Sequence, residues 1–162
     1  MIKVILRFDI IANMPINPKD YECEVNIIWD GKTGGEANIK SWNVKFDTPS
    51  EFGGLARYPC PDELFISAIG GCLLTTFLYF NERIKLNLIG FKIMVKGKVS
   101  LIGQEGYRLT HIEVIMKVEV SEEKSERVEK CVELTKKYCH ILRSIEQCVP
   151  IEIKTQIVSA VK

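Results

Sequence analysis

Between residues 21 and 29 the segment YECEVNIIW places β-forming side chains at near-alternate positions, the period of a strand with one covered face. Asp30-Gly31-Lys32-Thr33-Gly34-Gly35 follows, and its aspartate and glycines supply the left-handed backbone of a tight reversal. Residues 37–46 then read as the return strand of a hairpin. Residues 48–60, with two prolines and a Gly-Gly pair, read as a loop. At Pro61-Asp62-Glu63-Leu64 the pattern changes to that of a helix start. Proline fits the first helical position, and first-turn carboxylates complement the helix dipole. The helix is expected over 61–83, apolar on nearly every side and therefore buried on most faces. Gly70 and Gly71 in its middle each cost about 1 kcal/mol relative to alanine, which predicts close backbone approach by a partner helix or a substrate.

Residues 86–101 and 107–120 alternate well. Ile93, Val95 and Val99 mark the face of the first stretch, and Ile112, Val114, Met116, Val118 and Val120 that of the second; Gly103-Gln104-Glu105-Gly106 joins them as a second hairpin. Ser121 is then expected to cap an amphipathic helix over 121–139. Its inward positions are Val128, Cys131, Val132, Thr135 and Tyr138. A short turn at 140–145 leads to a last strand over 151–158. No repeat or linker interrupts this order, so residues 1–162 read as one α+β domain.

The composition is that of an ordinary globular protein: 162 residues, 46% hydrophobic and 27% charged. Twenty-two basic and twenty-one acidic residues leave a net charge of +1, which gives nucleic acid no basic face to bind. Lys3, Arg7 and Asp9 interrupt the apolar N-terminus, so no secretory signal is read. The uncharged run 64–81 is at the lower edge for a membrane span and contains Ser67, Gly70, Gly71, Thr75, Thr76 and Asn81; a core helix is expected instead. Six cysteines without an export signal point to reduced thiols in the cytoplasm.

Those cysteines carry the candidate chemistry. Cys72 follows the two glycines inside the most apolar helix and is either a packed small hydrophobe or a nucleophile. Cys139 ends the second helix, with Arg143 one turn on, and is either core or a resolving thiol. Cys60 precedes Pro61 at a helix N-terminus, where a thiolate is stabilised. Cys23, Cys131 and Cys148 read as structural. Asp62 and Glu63 either complement the dipole or hold an arginine near a cysteine, and Arg57, Arg83 and Arg143 are the arginines close enough in sequence. His111 has no evident partner. A Cys60, Cys139 and His140 metal site is a further reading, though no zinc-type spacing supports it.

Several segments in order resemble the OsmC/Ohr family of cysteine-dependent hydroperoxide reductases. They are Thr33-Gly34-Gly35, the stretch from Thr48 to Gly54, the block from Pro61 to Cys72 with its Gly70-Gly71-Cys72 ending, Lys137 to Ile145, and Val149-Pro150-Ile151. The resemblance spans residues 21–158. It implies two antiparallel β-hairpins or sheets wrapped around a long buried central helix, in a homodimer of intertwined chains with active sites at the interface. It also implies that the Cys72 thiolate attacks an organic hydroperoxide and that Cys139 closes a Cys72–Cys139 disulfide. A dithiol of lipoyl type would then reduce it; no resident cofactor, nucleic acid or membrane is implied. The organic hydroperoxide branch has an arginine after Thr-Gly-Gly, where this chain has Glu36, so Arg57 is taken as the substitute. Its carboxylate partner falls at Asp62, with Glu63 next. Proline commonly follows the distal cysteine; here it is His140. These departures match the general OsmC-like branch. They also motivate an alternative, a non-catalytic small-molecule-binding protein with inert cysteines.

Overall fold

The computed structural model describes residues 20–121 and 125–160. Three short antiparallel strands come first: β1 (Asn26–Trp29), β2 (Gly34–Ile39) and β3 (Trp42–Asp47), in the order β1-β2-β3. The expected single return strand is thus two. The chain reverses at Lys40, which takes a left-handed φ of 55° without being glycine, and Ile39 then pairs with Trp42. The expected first strand is also shorter, since pairing begins only at Asn26. A 3-10 turn (Ser50–Phe52) follows, and Phe52 meets Tyr107 edge to face at 4.9 Å between ring centroids.

The long helix α1 (Pro61–Ile84) matches the expectation to within one residue. Pro61 occupies its first position, and Glu63 accepts the Cys60 backbone N–H at 2.8 Å. At the other end Lys85 turns left-handed and its N–H closes onto the Asn81 carbonyl. The strands β4 (Leu88–Leu101) and β5 (Tyr107–Ser121) form the second hairpin, and β6 (Ile151–Ala160) joins β5 in parallel. A parallel neighbour requires a crossover, which α2 (Ser125–Tyr138) and α3 (His140–Ile145) provide. The second sheet, β4-β5-β6, is therefore mixed rather than purely antiparallel.

Ser121 does not cap a helix. It extends β5, pairing with Ala160, and its N–H donates to the Asn87 carbonyl. The expected turn at 140–145 is the helix α3.

The core lies between the helices and one face of the second sheet. Ile112, Val114, Met116, Val118 and Val120, alternate residues of β5, are fully buried. Ile69, Leu73, Phe77 and Phe80 of α1 and Val128, Cys131 and Val132 of α2 close over them, each such side chain contributing roughly 1.5–3 kcal/mol. α1 runs against the direction of β4: Ile66 lies over Gly97, Gly70 over Val95, and Phe77 stacks on Phe91 at 4.1 Å. By length and composition α1 could cross a membrane. Part of that apolarity is accounted for by the stripe that packs on the sheet and α2. The remainder, including Phe65, Leu74, Leu78 and Tyr79, is exposed on the single chain.

Candidate functional site

Cys72 projects from the middle of α1 toward the junction of α2 and α3 and is 7% exposed. Of the two glycines before it, only Gly70 marks a close approach, since a Cβ there would stand 3.2 Å from Val95 Cγ2. A Cβ at Gly71 would meet nothing within 4 Å in the single chain.

Cys139 sits where two helices meet. Its N–H still bonds to the Thr135 carbonyl of α2, while its own carbonyl accepts the Arg143 N–H of α3. Its extended backbone (φ −66°, ψ 106°) turns the chain between them and sends the sulfur inward, fully buried. There the Cys139 thiol donates to Cys72 Sγ across 3.1 Å, joining residues 67 apart in sequence. Burial pushes the Cys139 thiol up to about 11, and the adjacent Cys72 adds to the effect. Cys139 therefore stays a neutral donor and Cys72 the acceptor.

The next residue, His140, reaches the same sulfur. Its Nδ1 and Nε2 stand 3.6 and 3.9 Å from Cys72 Sγ in a part-buried contact, while the residue as a whole is exposed. The sequence reading placed His140 beside Cys139 but not against Cys72. That contact follows only once the two cysteines are known to be neighbours.

The charged candidates lie elsewhere in the chain. Arg57 is anchored in the loop before α1: its Nε and N–H donate to Asp47 Oδ2 at 2.7 and 3.0 Å, and its Nη2 to Asp30 at 2.6 Å. Asp47 also accepts from the Thr33 hydroxyl and the Thr48 N–H. The Arg57 guanidinium holds its carboxyl well below the usual carboxylate range. Within one chain Arg57 thus takes its carboxylates from Asp47 and Asp30 rather than from Asp62 or Glu63. Ten and nine residues of helix separate those two from Cys72, about 15 and 13 Å along the axis. Arg83 lies over the Tyr79 ring, and Arg143 pairs with Glu146. Glu36 is in β2, opposite Lys45.

Cys60 caps α1 about 18 Å along the helix from Cys72, so it does not join Cys139 and His140. Among the described residues no three His, Cys, Asp or Glu side chains converge as metal ligands. Cys131 is buried against the Phe77 carbonyl, as a structural reading expects. Cys23 and Cys148 are exposed, so packing does not account for them. His111 is in β5 opposite Lys98. A shallow apolar depression lined by Thr75, Thr76, Tyr79, Phe80 and Tyr138 opens one turn along α1 from Cys72.

A family model described as OsmC-like protein matches residues 53–154. No curated protein matches the sequence. Among solved structures, an OsmC-like protein from Mycoplasma pneumoniae superposes with a TM-score of 0.77 at 14% identity, covering 86% of this chain and 99% of its own. An organic hydroperoxide resistance protein from Elizabethkingia anophelis gives 0.67 at 15% identity, with 88% and 99% covered. The organic hydroperoxide resistance protein OsmC of Legionella pneumophila gives 0.66 at 16%, with 85% and 98% covered. At these identities the likeness carries the fold.

Proposed function

Because the chain belongs to the family of OsmC-like proteins, we propose that it is a thiol peroxidase that reduces organic hydroperoxides through Cys72 and Cys139. The observation that carries this reading is the 3.1 Å approach of the two sulfurs beneath a buried surface. A disulfide needs about 2.05 Å, so closing the bond asks for roughly 1 Å of movement.

The chemistry runs in three balanced steps. The Cys72 thiolate attacks the terminal oxygen of the hydroperoxide; the O–O bond breaks, the alkoxide leaves and takes a proton, and sulfur becomes a sulfenic acid. Cys139 then displaces water from that sulfenic acid and forms the disulfide. An external dithiol restores both thiols and is itself oxidised to a disulfide. The apolar depression one turn along α1 from Cys72 suits an alkyl chain better than hydrogen peroxide.

A homodimer belongs to the same proposal. Its support is the apolar surface a single chain leaves open: Phe65, Leu74 and Leu78 on α1, and Ile27, Ile28, Trp29 and Trp42 on the first sheet. We place the protein in the cytoplasm, where the thiols stay reduced between turnovers.

The test is hydroperoxide consumption with a dithiol reductant. Cys72→Ser should abolish it. Cys139→Ser should consume one equivalent and stop with a sulfenic acid on Cys72, detectable with a dimedone-type probe. Unchanged turnover in Cys72→Ser protein would end the proposal. The non-catalytic alternative is favoured by Glu36 and by the engagement of Arg57, Arg83 and Arg143 elsewhere. It predicts no hydroperoxide consumption by the wild-type protein.

A further inference from the structure

Among the described residues two polar groups meet the Cys72 sulfur, and they differ in kind. The Cys139 thiol is buried and stays protonated, so it brings a hydrogen bond but no charge. His140 is an exposed residue, and an imidazole can take up a proton and with it a full charge. Both ring nitrogens lie within 4 Å of the sulfur, so either tautomer presents one to it. The local fold fixes the His140 backbone. The extended backbone of Cys139 puts His140 at the first position of α3, and the Ser144 hydroxyl donates to the His140 carbonyl at 2.8 Å.

We propose that His140 is the proton acceptor and counter-charge of Cys72, supplying the positive group that Arg57, Arg83 and Arg143 do not bring to this sulfur. The proton leaves the Cys72 thiol for an imidazole nitrogen, giving a thiolate–imidazolium pair with the Cys139 S–H as a second donor. When the thiolate attacks a hydroperoxide, the S–O bond forms as the O–O bond breaks. The departing alkoxide takes the imidazolium proton, directly or through water, leaving sulfenic acid, alcohol and neutral His140. The part played in turnover rests on the peroxidase reading; the sulfur–imidazole pair does not. The charged residues next to His140 along the chain are Arg143 of α3, which pairs with Glu146 just past the end of that helix, and Lys136 and Lys137 in the last turn of α2.

The pair is tested without hydroperoxide, by the rate at which iodoacetamide alkylates Cys72 in reduced protein at mildly acidic pH, read by peptide mapping. His140→Gln should slow labelling of Cys72 about tenfold, and His140→Arg should stay within about threefold of wild type, because only the arginine keeps the charge. Equal rates in wild type and His140→Gln, or an arginine variant as slow as the glutamine one, would overturn the proposal. His140 is exposed, so neither variant disturbs the core. Hydroperoxide consumption is measured on the same samples. Wild-type protein that labels quickly at Cys72 and is slowed by His140→Gln, yet consumes no hydroperoxide, would sink the peroxidase reading and leave the pair standing.

Discussion

Cys131 and Cys139 are neutral because of where they sit: burial raises their thiols to about 12 and about 11, against an ordinary value of 9.0. A folded-state value raised above the unfolded one means that the folded state prefers the protonated form. The stability this supplies is complete below about pH 9 and is lost as pH climbs through 9 toward 12. The denaturant midpoint of the reduced protein should therefore hold steady up to about pH 9 and fall beyond it, and Cys131→Ala should flatten that fall. A Cys131→Ala profile as steep as wild type would show that the alkaline loss arises elsewhere. Asp47 behaves in the opposite sense. Its carboxyl is held down chiefly by the hydrogen bond from Arg57, so its contribution is intact above about pH 4 and is lost below. At residue scale the sequence had marked Cys72 and Cys139 through the family resemblance, whereas their spacing alone left packing and chemistry both open. The His140 contact was not legible, because it joins residues 68 apart.

The elements legible in the sequence are those whose signal is local. α1 announces itself by Pro61 and its first-turn acids, β4 and β5 by long alternation, and α2 by an inward stripe that the structure buries at Val128, Cys131, Val132 and Thr135. Local sequence misleads where pairing with a distant partner decides the outcome. Ser121 has the chemistry of a helix cap, yet its pairing with Ala160 keeps it in a strand. Lys40 gives no turn signal, because its left-handed backbone is imposed by the pairing of Ile39 with Trp42. β6 was expected as a strand, but its parallel register on β5 depends on how α2 and α3 carry the chain across. Gly70 and Gly71 look alike in sequence and separate only in three dimensions, one against Val95 and the other facing open space.

For the whole molecule, the fold class and the order of elements were legible, while the assembly is left to the surfaces of the single chain. Both tryptophans of the sequence, Trp29 and Trp42, are on the first sheet and are 72% and 74% exposed on one chain. Their fluorescence therefore reports on that sheet alone. If two chains intertwine, emission at high concentration should be that of shielded indole and should shift to longer wavelength on dilution, in step with the fall in mass by sedimentation. Water-like emission at every concentration, with a mass of one chain throughout, would remove the homodimer from the proposal.

The 67-residue separation of Cys72 and Cys139 has a thermodynamic side as well. Once bonded, the two sulfurs would staple the centre of α1 to the α2–α3 corner and deprive the denatured chain of a large share of its freedom, about 4 kcal/mol by the loop-entropy relation. For a protein of this length that corresponds to roughly 10 °C in melting temperature. Oxidant-treated protein should melt higher than reduced protein by that order, and Cys139→Ser should show no such difference. Each catalytic cycle would then pass through a temporarily toughened molecule, one whose resistance to heat records whether the last oxidant has yet been repaid.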